Sequence, residues 1–273
     1  MKLRPLFSLL LPILGFGSAL ANPWSEVLAP SDGPPRVIGE TSAGCLDGAA
    51  VLPAEGEGYV VMHLERRRYF GHPSLIEAIR TLGEEAAGGL GVLHVGDLSL
   101  PRGGPMPNGH RSHQSGIDAD IWFDLSPTLH VHADRWRSNV PAPSLLRSAS
   151  GGLDYRLWSD RQVRILKAAA SLPEVDRIFV NAHIKRELCE TVRGARGWLR
   201  KIRPWYYHED HFHMRLVCPA DSPLCVRQEA VPPGDGCDAS LDWWLRQHPP
   251  PVPRPSEPRP LLPAACRELL ARR

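Results

Sequence analysis

Six cysteines constrain this chain more than any other feature. They stand at Cys45, Cys189, Cys218, Cys225, Cys237 and Cys266, an even number with no C-x-x-C pair among them. In an oxidising compartment that pattern reads as three disulfides, rather than as a cysteine–zinc site or a catalytic thiol. The N-terminus points to such a compartment. Lys2 and Arg4 flank the start of an almost wholly apolar run from Leu6 to Phe16, and Ala19-Leu20-Ala21 makes a small-residue cleavage site before Asn22-Pro23. This is the plan of a secretory signal peptide over residues 1–21, with an apolar run too short to span a bilayer. The mature chain, 22–273, is expected to be exported and free. Six cysteines leave fifteen pairings open. Cys266 lies beyond a Pro-rich stretch at 249–263, so a long-range staple is expected to tie the C-terminus down.

The 273 residues are 42% hydrophobic and 23% charged, which is too apolar for a disordered chain and suits one large globular domain. Lys+Arg 32 against Asp+Glu 30 gives a formal charge of +2, no signature of nucleic-acid binding. Losing Lys2 and Arg4 with the signal peptide would bring the mature chain to zero (2 − 2 = 0). No other run approaches the length of a membrane helix.

Residues 22–50 read as irregular coil. Leu75, Ile76, Ile79 and Leu82 fall at helical spacing and predict a helix from Ser74 to Ala87. Val92–Leu100 reads as a strand, 101–115 as a Gly/Pro/His loop, and Ile117–Phe123 as a second strand. Residues 124–157 are polar and irregular. Ser159 can cap a helix bearing Val163, Leu166, Ala169 and Ala170. A short strand at Ile178–Val180 leads into a helix towards Cys189, Trp205–Cys218 alternates as a strand, and the Pro-rich stretch should run extended.

The chemistry is concentrated in two windows, Gly109 to Asp120 and His208 to His213, which hold five of the twelve histidines. The period of two along a strand puts His211, His213 and Arg215 on one face, opposite Phe212, Met214 and Leu216. It likewise groups Asp118 with Asp120, opposite Ile117, Ala119 and Ile121. Two neighbouring strands would present a His/Asp face above an apolar core. Imidazoles with a carboxylate suit zinc, and three protein ligands leave a fourth position for water, as in catalytic sites. No H-E-x-x-H occurs, which excludes a thermolysin-type helix site.

These windows carry H-x(6)-D as His113…Asp120 and H-x-H as His211-Phe212-His213. With Arg68-Tyr69-Phe70-Gly71-His72-Pro73, the segment Trp198 to Trp205, Cys218 to Ser222 and Gly234 to Cys237, they resemble the penicillin-insensitive murein endopeptidases of the LAS group of zinc peptidases. The likeness runs from Pro23 to Cys266. It implies an α+β fold, a small antiparallel sheet flanked by helices and long loops, with the metal on the exposed face. It further implies Zn2+ held by His113, Asp120 and His213, with His110 as a further ligand. His211 would be the general base, and His208 would stabilise the oxyanion or orient substrate. The implied disulfides are Cys45–Cys266, Cys189–Cys237 and Cys218–Cys225.

The implied substrate is cross-linked peptidoglycan in the periplasm, cut at the D-alanyl–meso-diaminopimelyl bridge. The family's type member has an Asp and a His in the long excursion that can bind a second metal. Residues 144–153 here contain neither. No S-x-x-K is present, so a serine acyl-enzyme of the penicillin-binding type is not visible. His130-Val131-His132 has no partnering carboxylate strand and reads as surface loop. Trp205 and Tyr207 could wall a cleft, while Trp243-Trp244 reads as packing. Two alternatives stand beside the endopeptidase: a D,D-carboxypeptidase or dipeptidase of the same group, and a non-catalytic wall-binding protein that keeps a zinc ion.

Overall fold

The computed structural model describes residues 22–107, 110–127, 137–138, 140–147, 151–246 and 261–272. The expected signal peptide, His130, His132 and the Pro-rich stretch up to residue 260 lie outside the described residues. After a short helix, α1 (Pro23–Glu26), β1 (Arg36–Glu40) and β2 (Ala43–Asp47) form an antiparallel hairpin with Val37 opposite Leu46. β3 (Ala50–Val51) pairs with β6 (Phe70–Gly71) in a second small ribbon.

The main sheet contains β4 (Glu55–Gly56), β5 (Tyr59–Val61), β7 (Leu93–Val95), β8 (Asp118–Trp122), β9 (Val175–Val180), β10 (Ile202–Pro204) and β11 (His211–Leu216). Their spatial order is β10-β9-β11-β8-β7-β5-β4. The architecture is α+β as expected, but the sheet is mixed. Its centre, β9-β11-β8-β7, is antiparallel, while β10–β9 and β5–β7 are parallel. The reason is topological. Helix α2 (Pro73–Ala87) lies between β5 and β7 in the chain, and α4 (Ala182–Thr191) between β9 and β10. A helical crossover returns the chain to run parallel to the strand it left.

Helix α2 starts on Pro73, with His72 as N-cap accepting from the Ser74 amide at 3.3 Å. Helix α3 (Asp160–Ser171) starts with a reciprocal capping box between Ser159 and Gln162. Gln162 also donates to the Phe123 carbonyl at 2.9 Å, fastening α3 to the end of β8. Leu75 and Ile79 of α2 and Ile165 and Leu166 of α3 share one core with Ala119, Ile121, Phe212 and Met214. The opposite face of β8 and β11 is thereby left to the polar residues.

Two expected strands are shorter than the sequence suggests. β7 stops at Val95, after which Gly96 turns to pair with the Asp120 carbonyl. The strand expected from Trp205 begins only at His211, because Tyr207 (φ 61) and His208 (φ 50) adopt left-handed backbone that cannot continue a ladder.

The six cysteines pair as Cys45–Cys266, Cys189–Cys237 and Cys218–Cys225. The first joins β2 to α6 (Ala264–Ala271), whose last carbonyls receive Arg102 Nη1, at 2.9 Å on Leu269 and 2.6 Å on Arg272. The second ties α4 to the loop before α5 (Ala239–Leu245). Lys185 of α4, fully buried, reinforces that tie by donating to the carbonyls of Leu199 (2.7 Å) and Asp235 (2.5 Å). Among the described residues no helix is long and apolar enough to cross a membrane.

Candidate active site and metal centre

β8 and β11 are neighbours in the register His213↔Asp120 and Arg215↔Asp118, so the polar faces read from the sequence meet. Asp120 is the hub. Its Oδ1 lies 3.3 Å from His113 Nε2, 3.2 Å from His213 Nδ1 and 3.6 Å from His211 Nε2. Its Oδ2 lies 3.5 Å from His110 Nδ1.

Local structure aims these groups. His113 sits in left-handed backbone (φ 68), and Gly116 (φ 73) turns the loop back into β8. A Cβ on Gly116 would come within 2.3 Å of Leu46 Cδ2, so a side chain there would displace Leu46 as well as strain the left-handed backbone. His208 reaches the site through the left-handed turn that ends the run before β11. Its ring lies 4.9 Å from that of His211 and 5.9 Å from that of His213.

The site's unspent atoms indicate what it can hold. His113 is completely buried, yet neither ring nitrogen has a hydrogen-bond partner among the described residues, and neither has Asp120 Oδ1. Buried polar atoms left unpaired are costly. His110, His113 and Asp120 each offer a ligand atom, all within 4.8 Å of one another, and His213 Nδ1 stands beside the same carboxylate. A cation bound there would satisfy Asp120 Oδ1 and one of the two His113 nitrogens, an imidazole offering a metal a single ligand atom, so the residues fit a metal.

Around this hub stand residues to which the sequence reading gave no role. Asp118, fully buried, accepts from Arg215 Nε at 2.5 Å and meets His213 Nε2 at 2.5 Å. Asp97 Oδ2 lies 2.9 Å from His110 Nε2 and accepts from Arg68 at 2.7 Å. Asp210 Oδ1 lies 2.6 Å from His211 Nδ1. Three of the four site histidines facing Asp120 thus lean on a second carboxylate, an arrangement that fixes ring orientation and tautomer. Asp118 and Asp210 fall inside or beside the two motifs and could have been found by asking what holds each imidazole. Asp97 sits in the loop after β7, where no motif marks it.

The electrostatics follow from these pairings. Burial would raise Asp97, but the His110 hydrogen bond and Arg68 bring it down to about 2. Asp118 is likewise opposed by burial, yet Arg215 and His213 hold it well below the usual carboxylate range. Burial, with His211 and His213 nearby, lowers His208 to about 3. Burial would lower His211 too, but the carboxylates of Asp120, Asp210 and Glu209 raise it to about 9.

Trp205, 48% exposed, stands beside the site, its ring 5.6 Å from Phe179, whose own ring meets that of His213 edge-on at 5.5 Å. Trp244 packs against Trp205 at 5.4 Å. The aromatic pair read as packing is therefore joined to the wall of the site.

Comparison with known proteins identifies the family. The sequence profile of the family described as penicillin-insensitive murein endopeptidase matches residues 37–271. Relatives bearing that name include those of Haemophilus influenzae, 41% identical over 93% of this chain and 90% of the relative, and Yersinia enterocolitica, 42% identical over 92% and 90%. One from Klebsiella pneumoniae is 41% identical over 96% of each chain. A profile match over most of the chain, with relatives this similar along nearly their full length, shows that the chain belongs to the penicillin-insensitive murein endopeptidase family.

Proposed function

We propose that this murein endopeptidase is a zinc enzyme of the periplasm that hydrolyses the D-alanyl–meso-diaminopimelyl amide joining two stem peptides. The observation that carries the metal reading is that buried His113 and Asp120 Oδ1 face one another at 3.3 Å, beside His213 Nδ1, without a hydrogen bond to either His113 nitrogen or to Oδ1. His113, Asp120 and His213 would hold the ion, with His110 in reach through Nδ1. Imidazole nitrogen and carboxylate oxygen are a donor set that zinc favours. Bound there, zinc supplies a Lewis acid and brings the acidity of water to about neutral pH.

His211 is the proton carrier. Its Nδ1 is committed to Asp210, which leaves Nε2 on the side of Asp120 to take a proton from the attacking water and return it to the leaving amine. A cation held at Asp120 offsets the foremost charge that raises His211, returning it towards the range where it can accept a proton. For His208 the local geometry favours one of the two roles expected of it. Its Nδ1 donates to the Tyr206 carbonyl at 2.5 Å, and the ring stays neutral, so Nε2 is an acceptor. An acceptor suits a substrate N–H and is unsuited to an oxyanion, so substrate orientation is the role this geometry supports.

The periplasmic reading rests on the signal-peptide pattern of residues 1–21 and on three disulfides. The test is mature protein on purified cross-linked muropeptide dimers, followed by mass spectrometry with and without chelator. Dimers should become monomers, activity should vanish on chelation, and zinc should restore it. His211→Ala should lower the rate by roughly 100-fold or more while zinc content is kept. Intact dimers trimmed of C-terminal D-alanine would assign a carboxypeptidase instead. Zinc-loaded protein that alters neither would be a wall-binding protein.

A further inference from the structure

A pocket of about 490 Å3 lies against the metal group, lined by Arg66, Arg67, Arg68, Glu65, Asp97 and His110 among others. His110 is the shared wall. Its Nε2 meets Asp97 in the pocket at 2.9 Å, and its Nδ1 faces Asp120 at 3.5 Å. The pocket therefore begins one imidazole ring away from the group that would hold the metal.

Its charge is unbalanced. Three arginines face two carboxylates, Glu65 and Asp97, leaving one positive charge over (3 − 2 = +1). Successive residues of an extended chain point to opposite sides, so three consecutive arginines rarely share one pocket. Here Arg66 ends a 3-10 turn over Leu64–Arg66 and Arg67 is left-handed (φ 51), which folds the segment so that all three line it. Non-glycine residues held in that strained conformation concentrate at functional sites.

The three arginines are not equally engaged. Arg68 is buried and bound to Asp97 at 2.7 Å. Arg66 reaches the same oxygen only at 3.4 Å, with its side chain 43% exposed. Arg67 spends one terminal nitrogen on the Ser25 carbonyl at 2.9 Å. A guanidinium carries five N–H donors in a fork that fits a carboxylate, so Arg66 and Arg67 retain the capacity to bind an anion.

We infer that this pocket receives a substrate carboxylate, the one borne on the carbon next to the nitrogen released at the scissile amide. The inference rests on the endopeptidase reading above. A pocket one ring from the reacting centre suits a carboxylate one carbon from the scissile nitrogen, the substrate anion bonded nearest to the reacting atoms. In a D-alanyl–diaminopimelyl link, the carbon bearing the amide nitrogen carries such a group. Arg66 and Arg67 thus select the substrate and fix its register against the metal.

The experiment compares muropeptide dimers in which that carboxylate is free or converted to the primary amide. Zinc-loaded wild-type protein, Arg66→Gln, Arg67→Gln and the double variant are assayed for cleavage. In parallel, calorimetry follows binding of the monomer product in its acid and amide forms. Wild-type protein should favour the acid by roughly ten- to a hundredfold in kcat/KM, carried mainly by KM, and should bind the acid product more tightly. The double variant should lose this preference with zinc content and melting temperature unchanged, and Arg66→Lys should recover part of it.

Equal handling of acid and amide by the wild type overturns the proposal, as does a preference that survives in the double variant. If the wild type cleaves neither dimer, the endopeptidase reading fails. The calorimetric comparison of acid with amide then decides by itself whether the pocket binds the anion.

Discussion

Asp118 Oδ1 lies between a histidine and an arginine, and the carboxylate has no exposed surface. Replacing it by Asn keeps the shape but removes the charge that fixes the His213 ring and balances Arg215. Such supporting carboxylates typically carry 10–100-fold in metal affinity. With the zinc proposed above bound, Asp118→Asn should therefore lose it to a competing chelator at about that much lower chelator strength, and Asp118→Ala should be worse. Undiminished zinc retention in Asp118→Asn would show that His213 needs no such support. At this scale the sequence was highly legible, because the period of two fixes which side chains of β8 and β11 share a face. Legibility ended where a partner came from elsewhere in the chain, as Asp97 does for His110. It also ended where tautomer mattered, as at His208, whose acceptor nitrogen depends on the Tyr206 carbonyl.

At the scale of elements, helices α2 and α3 were readable because apolar spacing and capping residues agree, and both begin within a residue of where the sequence places them. The strands were less so. β4, β5 and β10 have two or three residues each, too few for a periodic signal, and β7 is only the first part of the strand read over Val92–Leu100. The turn at Tyr207-His208 has no glycine to announce its left-handed backbone. Helix α4 carries its own prediction through Lys185. Burial, together with Arg203 and Arg196, lowers this amine to about 7, against the opposing pull of Asp235 and Asp238. The unfolded chain then binds the proton more tightly than the folded one. Stability from this group is fully present above the unfolded pKa, near 10.5, and is lost as pH falls through about 7. Thermal unfolding of wild-type protein should shift upward between pH 6 and about pH 9 by more than that of Lys185→Met. Parallel curves would assign the pH dependence to other groups.

For the molecule as a whole, the bond between Cys45 and Cys266 closes a loop of 221 residues and holds α6 against the β1–β2 hairpin. Loop-closure entropy, in one model of disulfide action, makes so long a cross-link worth about 5.4 kcal/mol before any native-state strain. Changing both Cys45 and Cys266 to Ser should lower unfolding free energy by roughly 2–5 kcal/mol in denaturant titration while dimer cleavage at low temperature persists. A loss of activity without a loss of stability would show that this end of the molecule shapes the site.

The same connectivity sets a problem in time. As a chain is made from its N-terminus, Cys45 meets Cys189, Cys218, Cys225 and Cys237 before its own partner exists. Oxidation in order of appearance would join Cys45 to Cys189, which is the wrong bond. The native set nests the two shorter bridges inside the longest, so Cys45 must either wait as a thiol or be released from an early mispairing by exchange. On the second route maturation depends on disulfide exchange, and cells that lack it should accumulate chains that are fully oxidised and wrongly joined; correct pairing in such cells would show that Cys45 waits as a thiol.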